Sequence, residues 1–178
     1  MTSPPKLGHG IFAAFCAASV ACASSSSGVS PGAGDPQTPP VTNAADVDAW
    51  LAKSFFQAWH CETAAPHDFG KPSPHGVARV CSNDKVTGHA AGEYPVGAAS
   101  VVELFDAAGA TVVGHAVQVH TSAGGKDTDW YWFNRDATGV TVDGLGGAGT
   151  PQETACVGCH ASAGIGYVGH DYVFVQVN

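Results

Sequence analysis

What this chain lacks narrows its function before any motif is read. Lysine and arginine together number 7 against 15 acidic residues, giving a net charge of −8. No basic patch is available to neutralise phosphates, so nucleic acid is excluded as a partner, and no basic amphipathic helix marks a membrane surface. Long apolar runs are missing as well. The one near the start, Ile11-Phe12-Ala13-Ala14-Phe15-Cys16-Ala17-Ala18, is too short to span a bilayer. Methionine occurs once, as Met1. A site that needs a thioether ligand must therefore do without one after any leader is removed.

What is present is sharper. Cys156-Val157-Gly158-Cys159-His160 is C-x-x-C-H, the attachment signal for c-type haem. Two cysteines three residues apart share a helix face and can reach both vinyl groups of one porphyrin. The histidine that follows is carried under the iron as its proximal ligand. A zinc site would need a second C-x-x-C, and a thioredoxin-like redox pair would need a preceding parallel βαβ pattern; neither is found. The expected cofactor is one covalently attached haem c, held by Cys156, Cys159 and His160, with His160 on the metal. With no methionine, a His/Met electron-transfer cytochrome is excluded. The iron is then five-coordinate or capped by another His, a Lys or water.

Residues 1–22 read as an export signal: Lys6, the apolar run, then small residues. Ser19-Val20-Ala21-Cys22 resembles a lipobox, which would put a lipid anchor on Cys22, while Ala21-Cys22-Ala23 suits ordinary cleavage. Either way the protein is expected outside the cytoplasm, in a periplasm, soluble or tethered. Residues 23–44, rich in Ser, Pro and Gly, read as a flexible linker. Residues 45–178 remain as one folded domain. Of the six cysteines, Cys16 and Cys22 fall to the leader and Cys156 and Cys159 to haem. Cys61 and Cys81 are left as an even pair in an oxidising compartment, which predicts a disulfide.

The hydrophobic pattern predicts an α+β fold, predominantly antiparallel sheet, with an N-terminal helix and a late haem-binding helix. Val47, Trp50, Leu51, Phe55 and Trp59 recur at near-helical spacing over 46–59, with Asn43 as cap. Period-two runs follow at 77–82, 99–106, 111–120, 129–135, 140–142 and 172–177, with short connections that favour antiparallel pairing. Thr150-Pro151-Gln152-Glu153 is a capping box ahead of the haem cysteines. Gly144-Leu145-Gly146-Gly147-Ala148-Gly149 fits a dinucleotide-binding fingerprint, but without a βαβ unit it reads as a glycine loop.

Taken in order, Ser73-Pro74-His75-Gly76-Val77 with Asn83, Tyr94-Pro95-Val96-Gly97 before Glu103, Asp129-Trp130-Tyr131-Trp132-Phe133, Cys156-Val157-Gly158-Cys159-His160 and Asp171-Tyr172-Val173-Phe174 resemble the cytochrome P-460 and cytochrome c′-beta family. The resemblance covers the chain from about residue 70 onward. It implies an antiparallel sheet with a five-coordinate haem and His160 as proximal ligand. Members that oxidise hydroxylamine carry a cross-linking lysine immediately before the glutamate; here that position is Val102. The resemblance therefore implies the c′-beta branch, which binds small gases such as nitric oxide, with carbon monoxide as a laboratory analogue.

Val102 shares a strand face with Ser100 and Leu104, so an apolar wall against the haem is expected. Lys85 could form a cross-link only through a different geometry. On the next strand His115 goes with Val113, Val117 and Val119, toward an apolar interior or the haem pocket, while Gln118 and His120 point the other way. His75 sits at a turn. Two alternatives stay open: a hydroxylamine or nitrogen-oxide oxidoreductase, and an electron-transfer protein with bis-His ligation. A redox partner protein and a homodimer are likewise left open.

Overall fold

The computed structural model describes residues 36–71, 73–164 and 169–177. The export signal, the lipid-anchor position Cys22 and most of the linker lie outside the described residues. Within the stretch that composition reads as linker, Pro39 and Pro40 are buried. The Trp59 indole donates to the Pro36 carbonyl (3.0 Å), and the Asn83 amide to that of Gln37 (2.9 Å).

The fold is mostly antiparallel sheet with a few short helices. β1 (His60–Cys61) and β2 (His67–Asp68) both lie along one side of β3 (Val77–Ser82). β4 (Ala99–Phe105), β5 (Val112–His120), β6 (Trp130–Asp136) and β7 (Gly139–Leu145) follow in simple up-and-down order. Every pairing is antiparallel. The short links between β4 and β5 and between β6 and β7 leave no other arrangement economical for those pairs.

Because side chains alternate along a strand, the register sorts the sheet into two faces. Val102 lies opposite Val80 and Ala116, and Gln118 lies between Ser100 and Trp132. The other face carries Cys81, Ala99, Val101, Val117, Val119, Tyr131 and Phe133. Helix α1 (Ala44–Leu51) covers that second face with Val47, Trp50 and Leu51, all buried. The Asn43 side chain caps it, accepting from the Asp46 N–H (3.1 Å). Each large apolar side chain buried there stabilises the fold by roughly 1.5–3 kcal/mol.

Two expectations fail here. The helix over 46–59 is not continuous: α1 stops at Leu51, Ser54 takes a left-handed φ of 54°, and a 3-10 turn follows at Phe55–Ala58. The reversal brings Phe56 and Trp59 back beside Trp50, with ring centroids 6.2 and 5.5 Å away. Aromatic packing outweighs helical continuity. The strand expected over 172–177 is also absent; a single bridge, His170 to Val173, stands in its place. Asp171 and Tyr172 have φ of 44° and 64° and cannot continue an extended chain.

Cys61 and Cys81 are joined in a disulfide, directly opposite each other across β1 and β3. In the chain-entropy model, closing a loop of about this length stabilises the fold by roughly 3 kcal/mol. It ties the segment after α1 to the sheet edge.

Candidate functional site

The face of the sheet that carries Val102 is closed by the chain's last third. After β7, Gly146 passes so close to Asp127 that a Cβ on it would lie 2.2 Å from the Asp127 carbonyl oxygen and 3.1 Å from Val157. Only glycine fits there, and this is the structural use of the glycine run. The next segment starts with Thr150, whose hydroxyl accepts from the Glu153 N–H (3.2 Å), half of the expected capping box. A π-type turn at Glu153–Val157 then leads into the short helix α2 (Gly158–His160). Such turns recur at functional sites because they widen the backbone and re-aim the side chains they carry. Val157 packs inward with Trp130, Trp132 and Val142, and its neighbour Cys156 packs at the edge of that cluster.

Between this segment and the sheet lie two adjoining cavity lobes, of about 260 and about 300 Å³. Cys156 and His160 from the helical segment and Ser100, Val102 and Gln118 from the sheet border both lobes, with His75 and Pro74 at one end. Cys159 borders the larger lobe. Each lobe approaches or matches the small-molecule range, about 300–1,000 Å³, and the walls are mainly apolar.

His160 is fixed from behind. Its Nδ1 lies 2.6 Å from the Tyr172 carbonyl oxygen. A carbonyl can only accept, so Nδ1 carries the proton and Nε2 keeps a free lone pair. Metal-binding histidines are oriented in this way by a second-shell acceptor. The tight turn that breaks the expected last strand supplies that acceptor. His170 and Val173 exchange two backbone hydrogen bonds at 2.9 Å, and the Asp171 carboxylate accepts from the Tyr94 N–H (2.7 Å). Two non-glycine residues with left-handed backbone cost on the order of 1–3 kcal/mol each, a strain typical of functional sites. Trp132, Phe174 and His75 flank the His160 ring, with centroids at 4.8, 5.3 and 6.3 Å.

The electrostatics suit a neutral ligand. Burial pulls the His160 pKa down to about 4; the Tyr172 carbonyl opposes the shift and His75 adds to it. The imidazole is therefore neutral at pH 7, the form that binds a metal. Burial, with Cys159 close by, pushes the Cys156 thiol up to about 11. Cys156 and Cys159 are both free and half-buried. Free thiols, an oriented imidazole and a mainly apolar cavity between them and the sheet are the groups a covalently held haem would need.

The other candidate residues separate cleanly. Val102 borders both lobes, half-buried, whereas Glu103 points to the opposite face, where Arg79 Nε donates to its carboxylate (2.7 Å). His115 is on that opposite face too, edge-on to Phe56, so it belongs to the interior and not to the cavity. His120 is on the cavity's face but is fully buried against Trp130 and borders neither lobe. Lys85 donates to the Val96 carbonyl (2.7 Å), away from the cavity. The lysine that does border a lobe is Lys71, which is exposed.

The expectation of a wholly apolar wall is corrected by Gln118, which the sequence reading set aside. It borders both lobes and is 7% exposed. The hairpin alone would mislead: a turn at 107–110 carried along regular strands sets Gln118 opposite Ala99, and the irregularity at Leu104–Phe105 shifts it opposite Ser100, onto the face of Val102. No family model matches this chain, and no curated protein matches it.

Proposed function

We propose that this protein is an exported mono-haem c-type cytochrome whose iron binds a small gaseous ligand, nitric oxide or its analogue carbon monoxide. The observation that carries the reading is His160. It follows Cys156 and Cys159 at the C-x-x-C-H spacing, donates Nδ1–H to the Tyr172 carbonyl, and borders a cavity with Nε2 unpaired among the described residues. In this reading the segment from Thr150 to His160 is the late haem-binding helix, and α1 is the N-terminal helix of an α+β haem domain. The Cys156 and Cys159 thiols would hold the haem by adding across its vinyl groups, S–H and C=C becoming C–S and C–H with no net oxidation, and the haem would supply a metal able to take a diatomic ligand. The chain's own residues hold it, keep His160 neutral and exclude water with Val102, Leu104 and Trp132.

With no methionine in the domain and Val102 in place of a cross-linking lysine, ligand binding suits the cavity better than hydroxylamine turnover. One observation favours a second reading. His75 borders both lobes with its ring 6.3 Å from that of His160, and a bis-His electron carrier would need such an imidazole. An absorption spectrum separates these readings. High-spin bands that shift on adding carbon monoxide or nitric oxide support the gas-binding cytochrome; low-spin bands indifferent to both support bis-His ligation. A red-shifted ferrous Soret band would indicate a cross-linked haem and the oxidoreductase alternative.

A further inference from the structure

Gln118 is a buried polar side chain that the protein's interior does not satisfy. It is more than nine-tenths buried, and its carboxamide has no hydrogen-bond partner among the described residues. Most of its polar neighbours do; the Trp132 indole N–H, opposite it in register and on the smaller lobe, has none among the described residues. Ser100, directly across in register, pairs with Ser82 (3.0 Å). Asn134 donates to the Thr141 hydroxyl (2.6 Å), and Ser162 to the Cys159 carbonyl (2.6 Å). The carboxamide opens onto the cavity that Gln118 borders, so a group in that cavity is placed to pair with it.

We propose that Gln118 is the residue that hydrogen-bonds the cavity's small ligand. Its NH₂ group donates to the outer atom of a diatomic that carries partial negative charge. The proposal rests on the reading that haem is attached at Cys156 and Cys159. Those cysteines and His160 line the cavity from the helical segment, while Gln118 lines it from the middle of the sheet. A flat group held by those residues would lie between the two walls. Around Gln118 the second wall is Val102, Ala116 and Leu104; its donors without a partner among the described residues are the carboxamide and the Trp132 indole N–H.

A carboxamide is a particular choice. It donates and accepts without a titrating proton, so it can hold a polarised ligand but cannot relay protons to one. The site it makes is a binding site for a diatomic, not a site for proton-coupled oxidation of an N-oxide.

The test uses the intact, haem-loaded protein and the variant Gln118→Leu, which keeps the size and removes both polar atoms. Two probes are read: the C–O stretching band of the ferrous carbon monoxide complex, and the dissociation rate of nitric oxide. The variant's band moves to higher frequency, and nitric oxide leaves about tenfold faster, the loss of one hydrogen bond to a polarised atom. Should the leucine variant fail to fold, the wild-type band measured in H₂O and in D₂O decides; an isotope shift supports a donor, and no shift overturns it. Haem attached with band and rate unchanged in Gln118→Leu overturns the assignment of Gln118 and leaves the haem reading intact. A chain that carries no haem, or a haem that takes no carbon monoxide, overturns both.

Discussion

The two faces of the sheet are built from the same strands and satisfy opposite demands. On the face under α1, twelve buried residues from Val47 to Phe133 pack against one another, and the Cys61–Cys81 disulfide is part of that cluster. Its charges are paired in place: Arg79 with Glu103, and Arg135 with Asp48. The face toward Cys156 and His160 leaves a cavity, and there the Gln118 carboxamide and His160 Nε2 have no partner among the described residues. Its backbone is strained at Asp171 and Tyr172. One face stores stability; the other forgoes some of it to keep polar atoms available.

That contrast is open to test from its strongest element downward. Trp50 is fully buried at the centre of the first face. Trp50→Ala is expected to cost about 3–5 kcal/mol in denaturant unfolding, the range for large aromatic cores. A loss below 1 kcal/mol would show that α1 does not carry the stability assigned to it. Next comes the disulfide. Replacing Cys61 and Cys81 with alanine together should lower stability by about 3 kcal/mol while leaving haem attachment intact. Peptide mapping without reductant should recover the two as one linked peptide.

The reverse experiment sits on the other face. Cys156→Ser combined with Cys159→Ser should abolish covalent haem, yet shift the stability of the haem-free chain by less than about 1 kcal/mol, since both residues are half-buried and free of partners. If instead the sheet unfolds, the division of labour between the faces is wrong.

The smallest effect concerns protons. In the haem-free protein the folded pKa of His160 is about 4, below the ordinary value of 6.5. The unfolded chain therefore binds the proton first as pH falls. Stability contributed by neutral His160 is full above about pH 6.5, declines between 6.5 and about 4, and levels off below. His75 and His115, both lowered by burial, act in the same direction, so His160→Gln should reduce the slope without removing it.

The two faces were also unequally legible in the sequence. Period two located β3 to its ends and β4 and β5 within a residue, because those strands alternate cleanly. The cysteine count named the disulfide. Local pattern failed where tertiary packing or special backbone decides: Ser54 breaks the first helix so that Phe56 and Trp59 can reach Trp50, and Asp171 and Tyr172 turn where a strand was expected. Gln118 was missed for a different reason. Its face was assigned from the valines beside it on β5, when the register with β4 sets it beside Val102. His115 was left undecided for want of the same register.

Whether Cys156 and Cys159 carry haem decides the proposed function. The direct measurement is the intact mass of the mature chain, produced in a host that attaches c-type haem and denatured in acid-acetone. The expected result is a chain heavier by one haem, with Cys156 and Cys159 both unreactive toward alkylating reagent. A chain of unmodified mass, with both thiols alkylated and the haem in the extract, would contradict it.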